Sequence, residues 1–185
     1  MNEVELKVLH ISTTINPIHA YALVLEEVDG AQRKLPVIIG ETEAQGIKAS
    51  MRSDKFPRPM THDLFPALTK MLGVTLSKVE IYKIKDGIYY SYLYFEKDGE
   101  VYQIDSRTSD AVSLALCYSR PIYISEELLE KEHLRELGKG AFSVPVNSIN
   151  VEMLRDALNK AVEKENYELA SRLRDEIKRR EEENK

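Results

Sequence analysis

Hydrophobic and polar positions alternate through EVELKVLHIS (3–12) and AYALVLEEV (20–28), the period of two expected of strands that bury one face. The second run meets Asp29-Gly30 and is followed by QRKLPVIIG, which predicts a hairpin because a tight primed turn needs positive φ. ETEAQGIKASMRS has the spaced apolar residues of a short helix, broken by Pro57 and Pro59 in KFPRP. THDLFPALTKMLG predicts a second helix that stops at Gly73, with Pro66 in or near its first turn. Three more alternating runs, 74–85, 88–97 and 100–105, are separated by Asp86-Gly87 and Asp98-Gly99 and predict an antiparallel meander. SDAVSLALCYS then reads as a helix, PIYIS as a short strand that Pro121 pushes towards a sheet edge, and EELLEKEHLREL as a helix ending at Gly138.

One unit occurs twice. VDGAQRKLPVIIGETEA and KDGEVYQIDSRTSDA both run strand, Asp-Gly, strand, acidic helix start, which sets Thr42-Glu43-Ala44 against Ser109-Asp110-Ala111. Such turn and cap residues also suit any hairpin-plus-helix unit, so a duplication and a shared local geometry both fit. GKGAFSVPVNSI (138–149) shifts to Gly, Pro and Ser, and the segment beyond it has neither Gly nor Pro and repeats apolar residues at helical spacing. The predicted class is α+β, an antiparallel or mixed sheet of duplicated hairpin-plus-helix units with flanking helices, followed by a C-terminal helical hairpin. Residues 1–137 form the body, 138–149 a linker and 150–185 the hairpin, with Asn166 as the cap between its helices. A hairpin this small buries little surface alone and is expected to dock through 150–182 on the body, a second copy or a protein partner.

Composition narrows the classes. With 43% hydrophobic and 31% charged residues among 185, the chain has both a core and a solvated exterior. A net charge of -5 argues against holding long nucleic acid by bulk electrostatics but leaves room for a local basic groove. The start MNEVELKVLH lacks a charged-then-apolar leader, and no run approaches the ~18 apolar residues of a membrane span. These features predict a cytoplasmic protein without membrane contact. The single cysteine, Cys117, falls in an apolar helical run and reads as a buried structural thiol.

In order along the chain, LPVIIGETEAQGI, RPMTHDL, DGIYYSYL, IDSRTSDAVSLAL and PIYISEE resemble the bifunctional nuclease family over roughly residues 5–130. Its members are credited with cleaving DNA and RNA, so the resemblance implies a nuclease of low sequence preference. The family more often has Pro where Thr108 stands and Ala where Gly46 stands. In the hairpin, YELASRLRDEI resembles the UVR motif of bacterial excision-repair proteins, a protein-contact device.

Phosphodiester hydrolysis needs charge neutralised on the phosphate, an activated water and a stabilised leaving oxygen, which carboxylate-held metals and arginine commonly supply. Candidate catalytic residues are Asp105, Arg107, Asp110, His62 and Asp63. Glu43, Asp105 and Asp110 are the candidate ligands of a divalent metal, Mg²⁺ or Mn²⁺. Lys48, Arg52, Lys55 and Arg58 form the best local basic patch for a nucleic-acid backbone. The competing structural roles are plain: Thr108 or Ser109 as a cap with Asp110 in the first turn and Arg107 paired with Asp105, Thr61 or Asp63 as a cap, and Glu41 and Glu43 compensating a helix dipole. Tyr90, Tyr92 and Tyr94 share one strand face, opposite Tyr89, suited to packing or to stacking bases. A homo-oligomer, with a dimer favoured, is expected. The alternative function is a non-catalytic nucleic-acid-binding or adaptor protein that recruits partners through the UVR-like hairpin.

Overall fold

The computed structural model describes residues 2–12, 21–52, 57–136, 142–143 and 151–183; Lys55 and all of the expected linker except Phe142 and Ser143 lie outside them. Three strands open the chain, β1 (Glu3–Ile11), β2 (Tyr21–Glu27) and β3 (Lys34–Ile39), followed by helix α1 (Glu41–Met51). Helix α2 (Thr61–Met71) leads to three more strands, β4 (Thr75–Lys85), β5 (Ile88–Lys97) and β6 (Glu100–Arg107), and again a helix, α3 (Thr108–Tyr118). Strand β7 (Ile122–Ser125), helix α4 (Glu126–Glu132) and a short ladder of β8 (Arg135–Glu136) with β9 (Phe142–Ser143) complete the body. Helices α5 (Val151–Glu163) and α6 (Tyr167–Glu183) form the C-terminal pair.

The large sheet has the order β3-β2-β1-β7-β4-β5-β6, which reads the same from either end if β1, β2 and β3 are matched with β4, β5 and β6. Strand β7 pairs antiparallel with β1 and parallel with β4, so β1 and β4 point in opposite directions and the two units face each other across it. This relation is that of two copies turned about an axis through β7, and the sheet is mixed. The duplication expected from the sequence therefore appears as architecture: each meander ends in a helix, and Glu43 and Asp110 are each the third residue of theirs.

Strand β7 was expected at an edge and lies at the centre. Pro121 stands just before the first strand residue, so its missing N–H removes nothing from the ladder, and its carbonyl accepts from the Val79 N–H at 3.0 Å. Two hairpins use the primed geometry their Asp-Gly pairs predicted, with φ of 52° and 76° at Asp86-Gly87 and 51° and 85° at Asp98-Gly99. Asp29-Gly30 instead belongs to a wider loop over 28–33, where Gly30 (φ 91°) and Gln32 (φ 54°) supply the left-handed turns. The helix expected to reach Gly138 stops at Glu132, with His133 extended.

Leu23, Leu25, Leu35, Val79, Ile81 and Leu93 project from one sheet face onto Ile47 of α1 and Ala111 and Val112 of α3, and this is the core. The opposite face carries half-buried tyrosines, with Tyr82 stacked on Tyr92 at 3.9 Å between ring centroids and Tyr90 and Tyr94 beside them. Tyr89 points the other way, is buried, and donates to the Pro36 carbonyl at 2.7 Å. In the C-terminal pair, Leu154, Ala157 and Ala161 meet Ala170 and Ile177, Arg155 reaches Glu181 at 2.6 Å, and the Asn166 side chain caps α6 by accepting from the Leu169 N–H. Among the described residues no helix is long and apolar enough to cross a membrane.

The wide loop after β2 is closed by charge. Glu27 is buried and takes both Arg33 Nε (3.0 Å) and Arg33 Nη2 (2.8 Å), while Arg33 Nη1 reaches Glu126 at the start of α4 (2.6 Å). The Arg33 guanidinium beside it holds the Glu27 carboxyl below its ordinary value. A lowered folded value stabilises above the unfolded value of about 4.3 and loses that contribution as pH falls through the folded one. Arg33→Met strands a buried carboxylate, so its cost at pH 7 should lie near the lower end of the ~3–5 kcal/mol seen when one partner of a buried pair is removed. Denaturant titrations of both proteins should show this difference full above about pH 5 and shrinking towards pH 3. A difference independent of pH would mean that Arg33 acts through packing alone.

Candidate active site

The starts of α1 and α3 meet at one guanidinium. Arg107, the last residue of β6 and the N-cap of α3, donates from Nε to Asp110 Oδ2 at 2.8 Å and from Nη2 to Asp110 Oδ1 at 3.2 Å. Its Nη1 reaches Glu43 Oε1 at 3.1 Å. Its hydrogen bonds to Asp110, then that carboxylate's charge, with Glu43 adding to both, hold the Arg107 guanidinium above its ordinary value, so it stays cationic at any physiological pH. Each carboxylate sits in a first helical turn, where backbone N–H groups lack intrahelical acceptors and negative charge is favoured.

A cavity of about 150 Å³ opens beside this ion cluster, lined by Thr42, Glu43, Gly46, His62, Arg107, Ser109, Asp110 and Ser113. Thr42, Glu43 and Gly46 lie at positions two, three and six of α1; Ser109, Asp110 and Ser113 lie at positions two, three and six of α3. The cavity is thus walled by matching faces of the duplicated helices. Arg107 and His62 break the match: the residue of the first unit equivalent to Arg107 is Gly40, the N-cap of α1, and His62 comes from α2. Gly40 makes room for its neighbour, since a Cβ there would stand 2.6 Å from Glu43 Oε2.

Expected caps are replaced by other contacts. Neither Thr108 nor Ser109 caps α3; both are buried inside its first turn, and Thr108 Oγ1 shares a 2.6 Å hydrogen bond with Ser91 Oγ. Arg107 pairs with Asp110 rather than Asp105, because the chain turns out of the strand at Arg107 and carries its side chain towards the helices. Asp105 remains on the tyrosine face, where it accepts from the Tyr82 hydroxyl at 3.0 Å, and lines neither cleft beside the ion cluster. Asp63 accepts from the Met60 N–H at 2.8 Å, the reciprocal half of a capping box, and lines a second cleft of about 260 Å³ with His62, Arg52, Ser50 and Cys117. Cys117 is half-buried there, its thiol 3.6 Å from Ser50 Oγ.

Of the basic patch, Arg52 borders that second cleft, Lys48 lies over the Tyr21 ring at 5.1 Å and Arg58 is exposed. Among the described residues no three or more His, Cys, Asp or Glu side chains are grouped to hold a metal ion, so Glu43, Asp105 and Asp110 do not converge as one ligand set. Thr42, Gly46, Ser109 and Ser113 were not among the site residues expected from the sequence, although the repeat had already set Thr42 against Ser109. Extending the repeat alignment through the helices, three residues past Glu43 and three past Asp110, would have found Gly46 and Ser113.

Two families match the chain. The bifunctional nuclease domain covers residues 23–136, and the UvrB/uvrC motif covers residues 150–183. An uncharacterized protein of Mycobacterium tuberculosis (strain ATCC 25618 / H37Rv) is 36% identical over 118 residues, 64% of this chain and 70% of that protein. Bifunctional nuclease 1 of Oryza sativa subsp. japonica is 30% identical over 118 residues, covering 62% of this chain and 36% of its own. Bifunctional nuclease 1 of Arabidopsis thaliana is 27% identical over 127 residues, covering 67% and 39%. This chain spans well under half the length of both plant proteins.

Gly46 is the most direct probe of the cavity wall. A Cβ placed there would meet His62 Cε1 at 3.5 Å, an ordinary contact, and Gly46 lies within a helix. Gly46→Ala should gain the ~1 kcal/mol that separates the two residues in a helix interior and raise Tm by about 2–4 °C. Calorimetry decides: a fall in Tm would mean that the His62 ring has no freedom to receive the methyl group.

Proposed function

Because the chain belongs to the bifunctional nuclease domain family, we propose that it hydrolyses phosphodiester bonds in DNA, RNA or both, with the cavity between α1 and α3 as its reaction centre. The observation that carries this reading is convergence: His62, Arg107, Glu43 and Asp110, drawn from four elements, border one small cavity at two helix starts. Arg107, whose fork is held by Asp110 and whose Nη1 is held by Glu43, presents a fixed positive charge at the cavity that would attract a phosphate. N–H groups of the first turns of α1 and α3 supply further donors for charge developing on phosphoryl oxygens. His62, half-buried at the rim, is the side chain placed to take a proton from an attacking water or return one to the leaving oxygen.

Charge bears on metal dependence. Glu43 and Asp110 outnumber Arg107, so the cavity is anionic where a phosphate would have to enter. Mg²⁺ and Mn²⁺ favour oxygen ligands, and Mg²⁺ is commonly held by one or two carboxylates together with water and substrate phosphate, a demand that Glu43 and Asp110 fit. Such an ion would supply charge neutralisation and Lewis acidity. Asp105, bonded to Tyr82, takes no part in this arrangement. The UVR-like hairpin contributes contact with another protein rather than chemistry, and Lys48, Arg52 and Arg58 serve the nucleic-acid backbone.

The test is cleavage of single- and double-stranded DNA and RNA by the full chain with Mg²⁺, Mn²⁺ or chelator. Arg107→Ala should lower kcat by about 10²–10³, and His62→Gln by about 10² or more. Because the Arg107 side chain is 67% exposed, its loss should cost the fold about 1 kcal/mol or less. Asp105→Asn should leave the rate within about twofold. If wild-type protein cleaves none of the four polymers under any of these conditions, the chain is the binding or adaptor protein that its hairpin alone would make it.

A further inference from the structure

Helix α2 is inverted. His62, Pro66 and Thr69 face the body and are half-buried, Thr69 Oγ1 sharing a 2.6 Å hydrogen bond with the Tyr118 hydroxyl, yet none of the eleven residues is buried. The apolar residues turn away from the body: Leu64 is 52% exposed, Phe65 42%, Leu68 54%, Met71 84% and Leu72 55%. In a helix that served only its own core this stripe would point inward.

We propose that this stripe is the contact through which two copies of the chain associate, their α2 helices antiparallel about a twofold axis through Leu68. The positions themselves are self-complementary. Measured from Leu68 the apolar residues stand at -4, -3, 0, +3 and +4. An antiparallel copy therefore sets Leu64 against Leu72 of the second copy, Phe65 against its Met71, and Leu68 against Leu68, with no polar residue meeting an apolar one. Spacing by three and four is the pattern that packs helices side by side, and antiparallel dipoles attract.

Area and charge select this occupant. Five side chains so exposed present on the order of 500 Å², within the range of the largest apolar patch on a typical monomer, if a whole large side chain counts for ~150–250 Å². Two such faces together bury on the order of 1,000 Å², the lower bound for a specific interface. The stripe carries no charge, which removes nucleic acid as its occupant. The rest of the helix offers one Lys and one Asp, Lys70 and Asp63, where a membrane-surface helix would be rich in Lys and Arg. The contact is independent of the catalytic reading, since it uses the side of α2 turned away from His62.

Sedimentation equilibrium of the full chain between about 1 and 100 µM reads the outcome directly. Wild-type protein should approach twice the 21.2 kDa of one chain. Leu68→Glu puts two carboxylates face to face on the axis and should weaken association by at least about 100-fold, leaving a monomer. Since Leu68 lies outside the core, its circular dichroism and melting at a concentration where both proteins are monomeric should match wild type. Lys70→Glu, an equal or larger change of charge off the stripe, should leave the dimer intact. A wild-type monomer throughout that range overturns the proposal, as does a Leu68→Glu protein that remains dimeric or a Lys70→Glu protein that dissociates as readily.

Discussion

Everything in this fold depends on how four residues of β7 join two equivalent meanders. Each meander alone would present an unpaired strand, β1 or β4, whose N–H and C=O groups need partners. Strand β7 satisfies both, antiparallel on one side and parallel on the other. That combination forces the two units to run in opposite senses while keeping α1 and α3 on the same face. Helix packing follows, and with it a shared core in which Ile47 and Val112 sit fully buried. Had β7 paired on an outer edge, the helix starts would have been separated by the breadth of the sheet.

Bringing two helix N-termini together has an electrostatic cost, because each start carries partial positive charge and orphan N–H groups. Glu43 and Asp110 at matching positions answer it twice over, and Arg107 then bridges the two carboxylates. The same cluster that makes the packing tolerable leaves donors, carboxylates and a cation around one cavity. The ion pair of Arg107 with Asp110 and the place of both beside the cavity are therefore consequences of a single geometry. The approach to this cluster has a further wall: a cleft of about 450 Å³ is bordered by Gly40, Arg107 and Ser109 on one side and by Glu152 and Asp156 of α5 on the other. Two more carboxylates therefore stand beside the cavity and add to its negative charge.

Local chemistry was legible and long-range geometry was not. Asp86-Gly87 and Asp98-Gly99 announced their hairpins because a two-residue primed turn is decided by the φ values those residues accept. The repeat, and with it the equivalence of Glu43 and Asp110, was visible for the same reason. Asp29-Gly30 misled because the pair at Glu27 and Arg33, six residues apart in sequence, holds a wider loop open. The position of β7 was hidden because the rule about proline in strands concerns N–H groups inside the ladder, and Pro121 lies just outside it. Strand alternation also put Arg107 on the side of Asp105; only the turn into α3 redirects it.

Helix α2 shows why sequence periodicity identifies an apolar stripe without saying what it faces. Its spacing predicted a helix correctly, and the ordinary inference would bury Leu64, Leu68 and Leu72 in the core. The core had no vacancy: α1 and α3 already cover the sheet face with residues of near-zero exposure, and α2 meets the body through half-buried His62, Pro66 and Thr69, the last sharing a hydrogen bond with Tyr118. The larger apolar surface of the helix stands outside. No residue of α2 is buried, so the helix adds little apolar burial to a single chain. His62 lies on its inner face. Its position against Gly46 and Arg107 therefore sets the cavity and the Leu68 stripe on opposite faces of one helix.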